Sequence, residues 1–107
     1  RGGYRFKLTT KGEGIHTGVR AWEKREKGKN AIVEMGRVMG ALQQLEIPFK
    51  PARAFPGRTP AFTFPTKISG GTAINVVPET CVAYGDARLM PGNSDTQVKL
   101  WMKEKTR

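Results

Sequence analysis

The sequence predicts an α+β fold, a ferredoxin-like two-layer sandwich with two helices on one face of an antiparallel sheet. Three segments alternate apolar and polar residues as half-buried strands do, and two segments carry the start signals and apolar spacing of helices. Their order is β-α-β-β-α, which is the split βαβ pattern with its last strand missing. Because the order is incomplete and Arg1 is not an initiator methionine, we expect residues 1–107 to form a single domain of a larger protein.

The first strand is predicted over residues 4–10, where aromatic and apolar residues alternate with polar ones. A long loop, 11–29, separates it from a helix that begins after Asn30. Asparagine is a frequent helix cap because its side chain accepts hydrogen bonds from free backbone N–H groups. The helix is indicated by apolar residues that recur with a period of about 3.6 residues. They are Ala31, Met35, Val38, Leu42 and Leu45.

Residues 48–60 are rich in proline and basic residues, which is typical of a long connector. A second strand is predicted over 61–69, where apolar and polar residues alternate again. Pro65 lies within this strand. Because proline cannot donate a backbone hydrogen bond, the strand should lie at an edge of the sheet or contain a bulge.

A third strand is predicted over 81–89, where small and apolar residues alternate with larger or polar ones. The small-residue face can accept a closely packed helix, and the opposite face carries Asp86 and Arg88. Beyond this strand, Ser94 and Gln97 have the spacing of a capping box, which starts a second helix. The apolar residues of that helix are Val98, Trp101 and Met102.

The net charge limits the classes of function. The chain has 19 lysines and arginines against 9 acidic residues, a formal net charge of +10, and its basic residues form no dense tract. Such a charge attracts anions in general. A stand-alone ferredoxin-like nucleic-acid-binding module is therefore the alternative function, although the glycine and aromatic signature of an RNA-recognition strand is absent. No apolar run is long enough to span a bilayer, so no membrane partner is expected.

The chain contains one cysteine, Cys81, and one histidine, His16. A lone cysteine cannot form an internal disulfide and suits a reducing compartment, so we expect a cytoplasmic protein. A zinc site needs three or four protein ligands, which one histidine, one cysteine and no acidic cluster cannot supply. We therefore predict no metal site within this chain.

The last third of the chain sets polar side chains among glycines and apolar residues, which is typical of a sheet that faces a ligand. Asn75 follows a glycine pair at 70–71, where missing side chains permit another group to approach closely. Asp86 and Arg88 then share one face of a strand. Ordinary structural roles remain open, because Asn75 can be a turn residue and the two charges can be an exposed ion pair.

Three stretches of the sequence carry a family resemblance: KGEGIHTG at 11–18, GKNAI at 28–32 and GGTAINVVPETCVAYGDARLMPG at 70–92. In order and spacing they resemble the lid, or dimerisation, domain of the zinc-dependent family of acetylornithine deacetylase, succinyl-diaminopimelate desuccinylase, aminoacylase and glutamate carboxypeptidase. The resemblance implies a fragment of a two-domain metallohydrolase, with two zinc ions held by a separate catalytic domain. It also implies a homodimer formed through the lid, hydrolysis of N-acyl amino acids or related amides with a small anionic substrate, and no activity for this fragment alone.

The resemblance assigns roles to particular residues. His16 matches a lid histidine that reaches the active site of the opposite subunit and stabilises the oxyanion of amide hydrolysis, a role that suits an imidazole N–H. Its alternative is an ordinary loop histidine. The residues matched to substrate binding are Asn75 and Arg88, which would hold the carboxylate side of the substrate, and Gly70 and Gly71, which would allow close backbone approach. Asp86 would orient Arg88.

One segment departs from the family pattern. Residues 20–27, RAWEKREK, form a longer and more charged link than is common in relatives. Trp22 within it is expected either to pack on the lid or to shape the substrate entrance. The alternative is a solvated charged loop, so the substrate size that this segment permits is open.

Overall fold

The computed structural model describes residues 2–43, 45–48 and 57–107 of the chain. The predicted α+β class and the β-α-β-β-α order of the main elements are confirmed. One short helix, α1, lies in the segment predicted as loop. The elements are β1 (Gly2–Lys11), α1 (Arg20–Glu23), α2 (Ala31–Leu42), β2 (Ala61–Gly70), β3 (Thr80–Leu89) and α3 (Asp95–Lys105).

The three strands form one antiparallel sheet in the order β1-β3-β2. The middle strand, β3, pairs with β1 along its whole length, from Lys11 opposite Thr80 to Gly2 opposite Leu89. The pairing of β2 with β3 shifts register between Thr63 and Lys67. This irregularity contains Pro65, and β2 lies at an edge of the described sheet, so the prediction that the strand lies at an edge or contains a bulge is confirmed.

The core lies between the sheet and the helices α2 and α3. All five residues of β3 that were predicted to face a helix are buried, whereas their neighbours on the other face are partly or fully exposed. The small side chains of Ala83 and Ala87 leave room for α2 to lie close to the sheet. Gly85 lies on the same face, where a side-chain carbon would be only 2.2 Å from the Phe6 ring. Met35 and Leu42 of α2 fill the opposite side of this core, and each contributes about 1.5–3 kcal/mol by burial.

The start of α2 is fixed by its cap and by the first strand. The side-chain oxygen of Asn30 accepts hydrogen bonds from the backbone nitrogens of Ile32, at 2.9 Å, and Val33, at 3.2 Å. The buried hydroxyl of Thr10 donates to the carbonyl oxygen of Ala31 at 2.7 Å. The helix ends at Leu42, so Leu45 lies beyond it rather than within it as predicted, although Leu45 is buried.

Helix α3 begins as predicted. The Ser94 hydroxyl accepts from the Gln97 backbone nitrogen at 3.3 Å, and the Gln97 side chain accepts from the Ser94 backbone nitrogen at 3.2 Å. Val98 and Met102 of this helix enter the same core as α2. Most of the predicted connector, 49–56, lies outside the described residues. Within the described part of the chain, no helix combines the length and apolar character that crossing a membrane requires.

Candidate functional site

The segment after β1 lies beside the segment before β3, beyond one end of the sheet. An isolated β-bridge pairs His16 with Val76 at this place. The pairing brings His16 next to Asn75, two residues that lie far apart in sequence. Backbone hydrogen bonds run from Gly12 N to Glu79 O (2.7 Å), from Val77 N to Ile15 O (2.8 Å) and from Thr17 N to Asn75 O (2.9 Å).

The imidazole of His16 is oriented by the backbone that follows it. The backbone nitrogen of Gly18 donates to Nδ1 of His16 at 3.0 Å. An accepting Nδ1 carries no proton, so the neutral ring carries its proton on Nε2. Gly18 also leaves room for the ring, since a side chain there would lie 3.2 Å from Nδ1. His16 therefore presents a donor at Nε2.

The Nε2 atom of His16 lies 3.2 Å from the side-chain nitrogen of Asn75. Rotation of the Asn75 amide would instead present its oxygen to the Nε2 proton, so the two side chains can pair when no third group is bound. With an oxyanion nearby, the amide nitrogen and Nε2 can both donate to the same oxygen. Both side chains are exposed, so the pair is open to a ligand or to another protein surface.

A second polar group lies near the other end of β3. The Nε atom of Arg88 donates to Oδ2 of Asp86 at 2.9 Å, as expected of an orienting carboxylate. The other oxygen, Oδ1, is buried and has no hydrogen-bond partner among the described residues; the Nε of Arg5 lies 3.9 Å from it. Because Asp86 engages only Nε, the terminal nitrogens of Arg88 stay available for two parallel hydrogen bonds to a carboxylate.

The guanidinium of Arg88 lies over Gly3 of β1, which is its cross-strand partner. A side chain at Gly3 would begin 3.2 Å from Nη1 of Arg88. The sequence alone did not indicate that Gly3 leaves room for the Arg88 guanidinium. Gly3 lies just before the first strand as predicted, over 4–10, and its partner on β3 follows only from the strand register.

The two polar groups are far apart on one chain. His16 and Asn75 lie beyond the Thr80 end of β3, and Arg88 lies near its opposite end. The eight residue steps from Thr80 to Arg88 span about 26 Å at roughly 3.3 Å per residue. The structure brings Asn75 to His16 and does not bring it to Arg88, so these two residues cannot hold one small carboxylate from the same chain.

Gly70 and Gly71 have folding roles in the structure. A side chain at Gly70 would lie 3.1 Å from the Ile32 side chain and 3.2 Å from the sulfur of Cys81. Gly71 has a φ of +86°, a backbone conformation that favours glycine. Close packing at Gly70 and the positive φ of Gly71 thus account for both glycines, and their contact with substrate stays a prediction.

The face of the sheet opposite the helices is strongly basic. Five of its side chains are cationic and one, Asp86, is anionic, with Tyr84 at the centre of β3 and the Lys67 nitrogen 5.8 Å from its ring. Such a face attracts anions that approach the sheet. The cationic residues are Arg5, Lys7, Lys11, Lys67 and Arg88.

The described residues contain no group of three or more histidine, cysteine or acidic side chains that could hold a metal ion. The side chains present at the two polar groups do not fit zinc, which needs three or four ligands in tetrahedral geometry. Burial raises the pKa of the Cys81 thiol, so this residue also differs from a metal-binding or nucleophilic thiolate.

The fold and these two groups define an α+β sandwich that offers hydrogen-bond donors at one end and a guanidinium at the other. The sequence profile of the peptidase dimerisation domain matches residues 1–106, and the chain belongs to this family. The match confirms the family resemblance found in the sequence. No curated protein matches the sequence.

Solved structures of larger proteins contain a similar fold. An aminobenzoyl-glutamate utilization protein from Klebsiella pneumoniae matches 97% of the chain with 21% identity and a TM-score of 0.62. The aminopeptidase PepT from Bacillus cereus matches 98% with 24% identity and a TM-score of 0.59. An amidase of the hydantoinase/carbamoylase family from Burkholderia multivorans matches 97% with 15% identity and a TM-score of 0.64. The chain spans about a quarter of the length of these proteins, 22%, 24% and 23% respectively.

Proposed function

We propose that this chain is the lid and dimerisation domain of a zinc-dependent amidohydrolase or peptidase that cleaves N-acyl amino acids or related amides. The observation that carries this proposal is the pair of donors at His16 and Asn75, whose nitrogens lie 3.2 Å apart. Attack of water on an amide carbon places negative charge on the carbonyl oxygen. Two donors held beside that oxygen lower the barrier because they bind the transition state more strongly than the substrate.

Arg88 binds the carboxylate of the substrate in this proposal. Its guanidinium is planar and half-exposed, and Asp86 holds it by the Nε atom. A planar pair of donors matches the two oxygens of a carboxylate, which a lysine ammonium cannot do. The basic face of the sheet around Arg88 supports a small anionic substrate.

A second copy of the chain completes the site, because the roughly 26 Å between the two polar groups is too long for one small substrate. In the proposed dimer, His16 and Asn75 of one subunit act on the substrate that Arg88 of the other subunit holds. This changes the assignment made from the sequence. Asn75 acts with His16 on the oxyanion rather than with Arg88 on the carboxylate.

The surface proposed for pairing of the two copies is the free edge of β2 with the adjoining face of α2. The edge is unpaired within the described sheet and offers backbone hydrogen bonds to a second strand. Exposed apolar side chains lie beside it on both elements, which favours burial against another protein surface. These side chains are Ile32, Val33 and Ile68.

The zinc ions and the catalytic domain lie outside the chain in this proposal. The placement of zinc outside the chain is supported by the family match, and no metal-binding cluster occurs among the described residues. The domain contributes donors, a guanidinium and a dimer contact. By itself it is expected to be inactive, and a cytoplasmic location stays a prediction.

Replacement of His16 tests the catalytic part of the proposal. In the full-length polypeptide that contains this chain, His16→Ala should lower kcat about 100- to 1,000-fold, the usual effect of removing one oxyanion donor. Metal content and dimer mass should not change. Thr9→Val, an exposed substitution on β1, serves as the control. Near-normal turnover in His16→Ala would remove the catalytic assignment.

Mixed dimers test the division of the site between subunits. His16→Ala and Arg88→Ala subunits, each almost inactive alone, are mixed and allowed to exchange. A heterodimer then contains one intact site, so random exchange should restore about one quarter of the wild-type activity. If each site took both residues from one subunit, mixing would restore nothing.

The nucleic-acid alternative predicts a different result. If the chain bound single-stranded RNA at micromolar concentration and lost affinity steeply as salt rose, a nucleic-acid-binding module would be favoured over a hydrolase lid domain. The aminopeptidase and amidase names of two similar structures favour the hydrolase domain instead. We expect no base preference and no tight binding.

A further inference from the structure

The charged segment 20–27 is folded, although the sequence also allowed a solvated loop. It contains α1, a single helical turn in which no residue is fully buried. Helices this short are unstable in water without tertiary contacts, because one turn does not repay the cost of nucleation. Trp22 of this turn is partly buried.

Trp22 and Ile15 converge on Gly28. A side-chain carbon built on Gly28 would lie 2.6 Å from Cγ2 of Ile15 and 2.7 Å from Cε3 of Trp22. Both distances are shorter than carbon atoms tolerate, so the indole ring and Ile15 occupy the space that a side chain would take. The φ of Gly28 is +95°, which also favours glycine. Only glycine therefore lets the indole close over this position.

This cluster is linked directly to the segment that carries His16. Ile15 is the preceding residue, and its carbonyl oxygen accepts from Val77 N at 2.8 Å. The carbonyl of His16 accepts from Val19 N at 3.1 Å, and the carbonyl of Val19 accepts from Trp22 N at 3.0 Å. The α1 turn is thus linked to His16 through backbone hydrogen bonds, and its indole shares the space beside Gly28 with Ile15.

We propose that Trp22 and Gly28 are positioning residues that hold His16 in the geometry required for its pairing with Asn75. Packing of the indole over Gly28 fixes the α1 turn, and the turn fixes the carbonyl of His16. Without this packing the segment gains alternative conformations, and the Gly18 contact to Nδ1 is broken for part of the time. The effect on catalysis rests on the proposed function, whereas the effect on the imidazole does not.

The first test measures turnover in the full-length polypeptide. Trp22→Ala should lower kcat about tenfold or more with little change in KM, because His16 acts on the transition state rather than on substrate binding. Trp22→Phe should recover most of the loss, and Gly28→Ala should reproduce it. Glu26→Ala, an exposed change in the same segment, is the control. In a His16→Ala background, Trp22→Ala should have no further effect on kcat.

The second test is independent of catalysis and uses the single histidine of the chain. Nitrogen-15 NMR of the imidazole should show one protonated nitrogen and one accepting nitrogen in the wild type. In Trp22→Ala the two shifts should move toward each other as the ring loses its fixed tautomer, while the circular dichroism spectrum of the chain is retained. Unchanged imidazole shifts, or an equal loss of kcat in both backgrounds, would overturn the proposal. If His16→Ala has normal turnover, His16 has no catalytic role. If the imidazole shifts still change in Trp22→Ala, Trp22 nevertheless positions the His16 ring.

Discussion

The imidazole of His16 and the side-chain amide of Asn75 lie 3.2 Å apart at Nε2 and Nδ2, although 59 residues separate them in sequence. Backbone hydrogen bonds between the two segments fix this contact, including the bond from Thr17 N to the carbonyl of Asn75 itself. The two side chains therefore behave as one unit. Loss of either should affect the other.

Asn75→Ala should lower kcat by about 10- to 100-fold, because the loss of one charge-assisted hydrogen bond to an oxyanion costs roughly 1.5–3 kcal/mol. The double variant with His16→Ala should lose less than the product of the two single effects, since both residues act on one oxygen. Steady-state kinetics of the full-length polypeptide measures this. Thr72→Ala, an exposed change in the same loop, is the control. Fully multiplicative losses would show that the residues act separately.

Gly3 should control the position of Arg88, because a side chain at Gly3 begins 3.2 Å from Nη1. Gly3→Val should raise KM for a carboxylate substrate and leave kcat nearly unchanged. Arg88→Lys should lower kcat/KM about 10- to 100-fold, since the ammonium replaces two parallel hydrogen bonds with one. A substrate analogue without the carboxylate should be insensitive to both changes. Equal losses with the analogue would contradict carboxylate binding at Arg88.

Two glycines should respond to alanine with opposite signs. At Gly85 a side-chain carbon would lie 2.2 Å from the Phe6 ring, so Gly85→Ala should destabilise the fold by about 1–3 kcal/mol or more. At Gly36 of α2 nothing lies within 4 Å, so Gly36→Ala should stabilise the helix by roughly 0.5–1 kcal/mol. Denaturant unfolding of both variants measures the difference. A destabilising Gly36→Ala would indicate that another surface packs closely on α2.

Cys81 should resist thiol reagents in the folded protein. The sulfur is buried, and burial raises the pKa of the thiol. Because the pKa is raised in the folded state, the thiol loses its proton at lower pH in the unfolded state than in the folded state. Its contribution to the free energy of unfolding is therefore fully present below the ordinary thiol pKa of about 8.5 and falls as pH rises above it. The rate of reaction with a disulfide reagent should increase with denaturant in proportion to unfolding. Fast labelling without denaturant would show that the β3 end of the core opens locally.

Local patterns in the sequence determined the elements of this protein. Alternation along β3 assigned every buried residue of that strand correctly, and the caps at Asn30 and Ser94 located the starts of both main helices. These features depend on neighbours within a few residues, so a single sequence contains them. The α1 turn was missed because it depends on packing of Trp22 over Gly28, which lies outside the turn, and no helical period within four residues indicates that contact.

Only the tertiary structure decided how the site residues are grouped. Strand order placed β3 in the middle of the sheet, register placed Gly3 under Arg88, and the path of two loops brought Asn75 to His16 and away from Arg88. Residue types alone suggested which side chains bind, but not which of them act together. The reason is physical: a contact between distant segments depends on register and on the packing of the intervening chain, and alternation or helical period specifies neither.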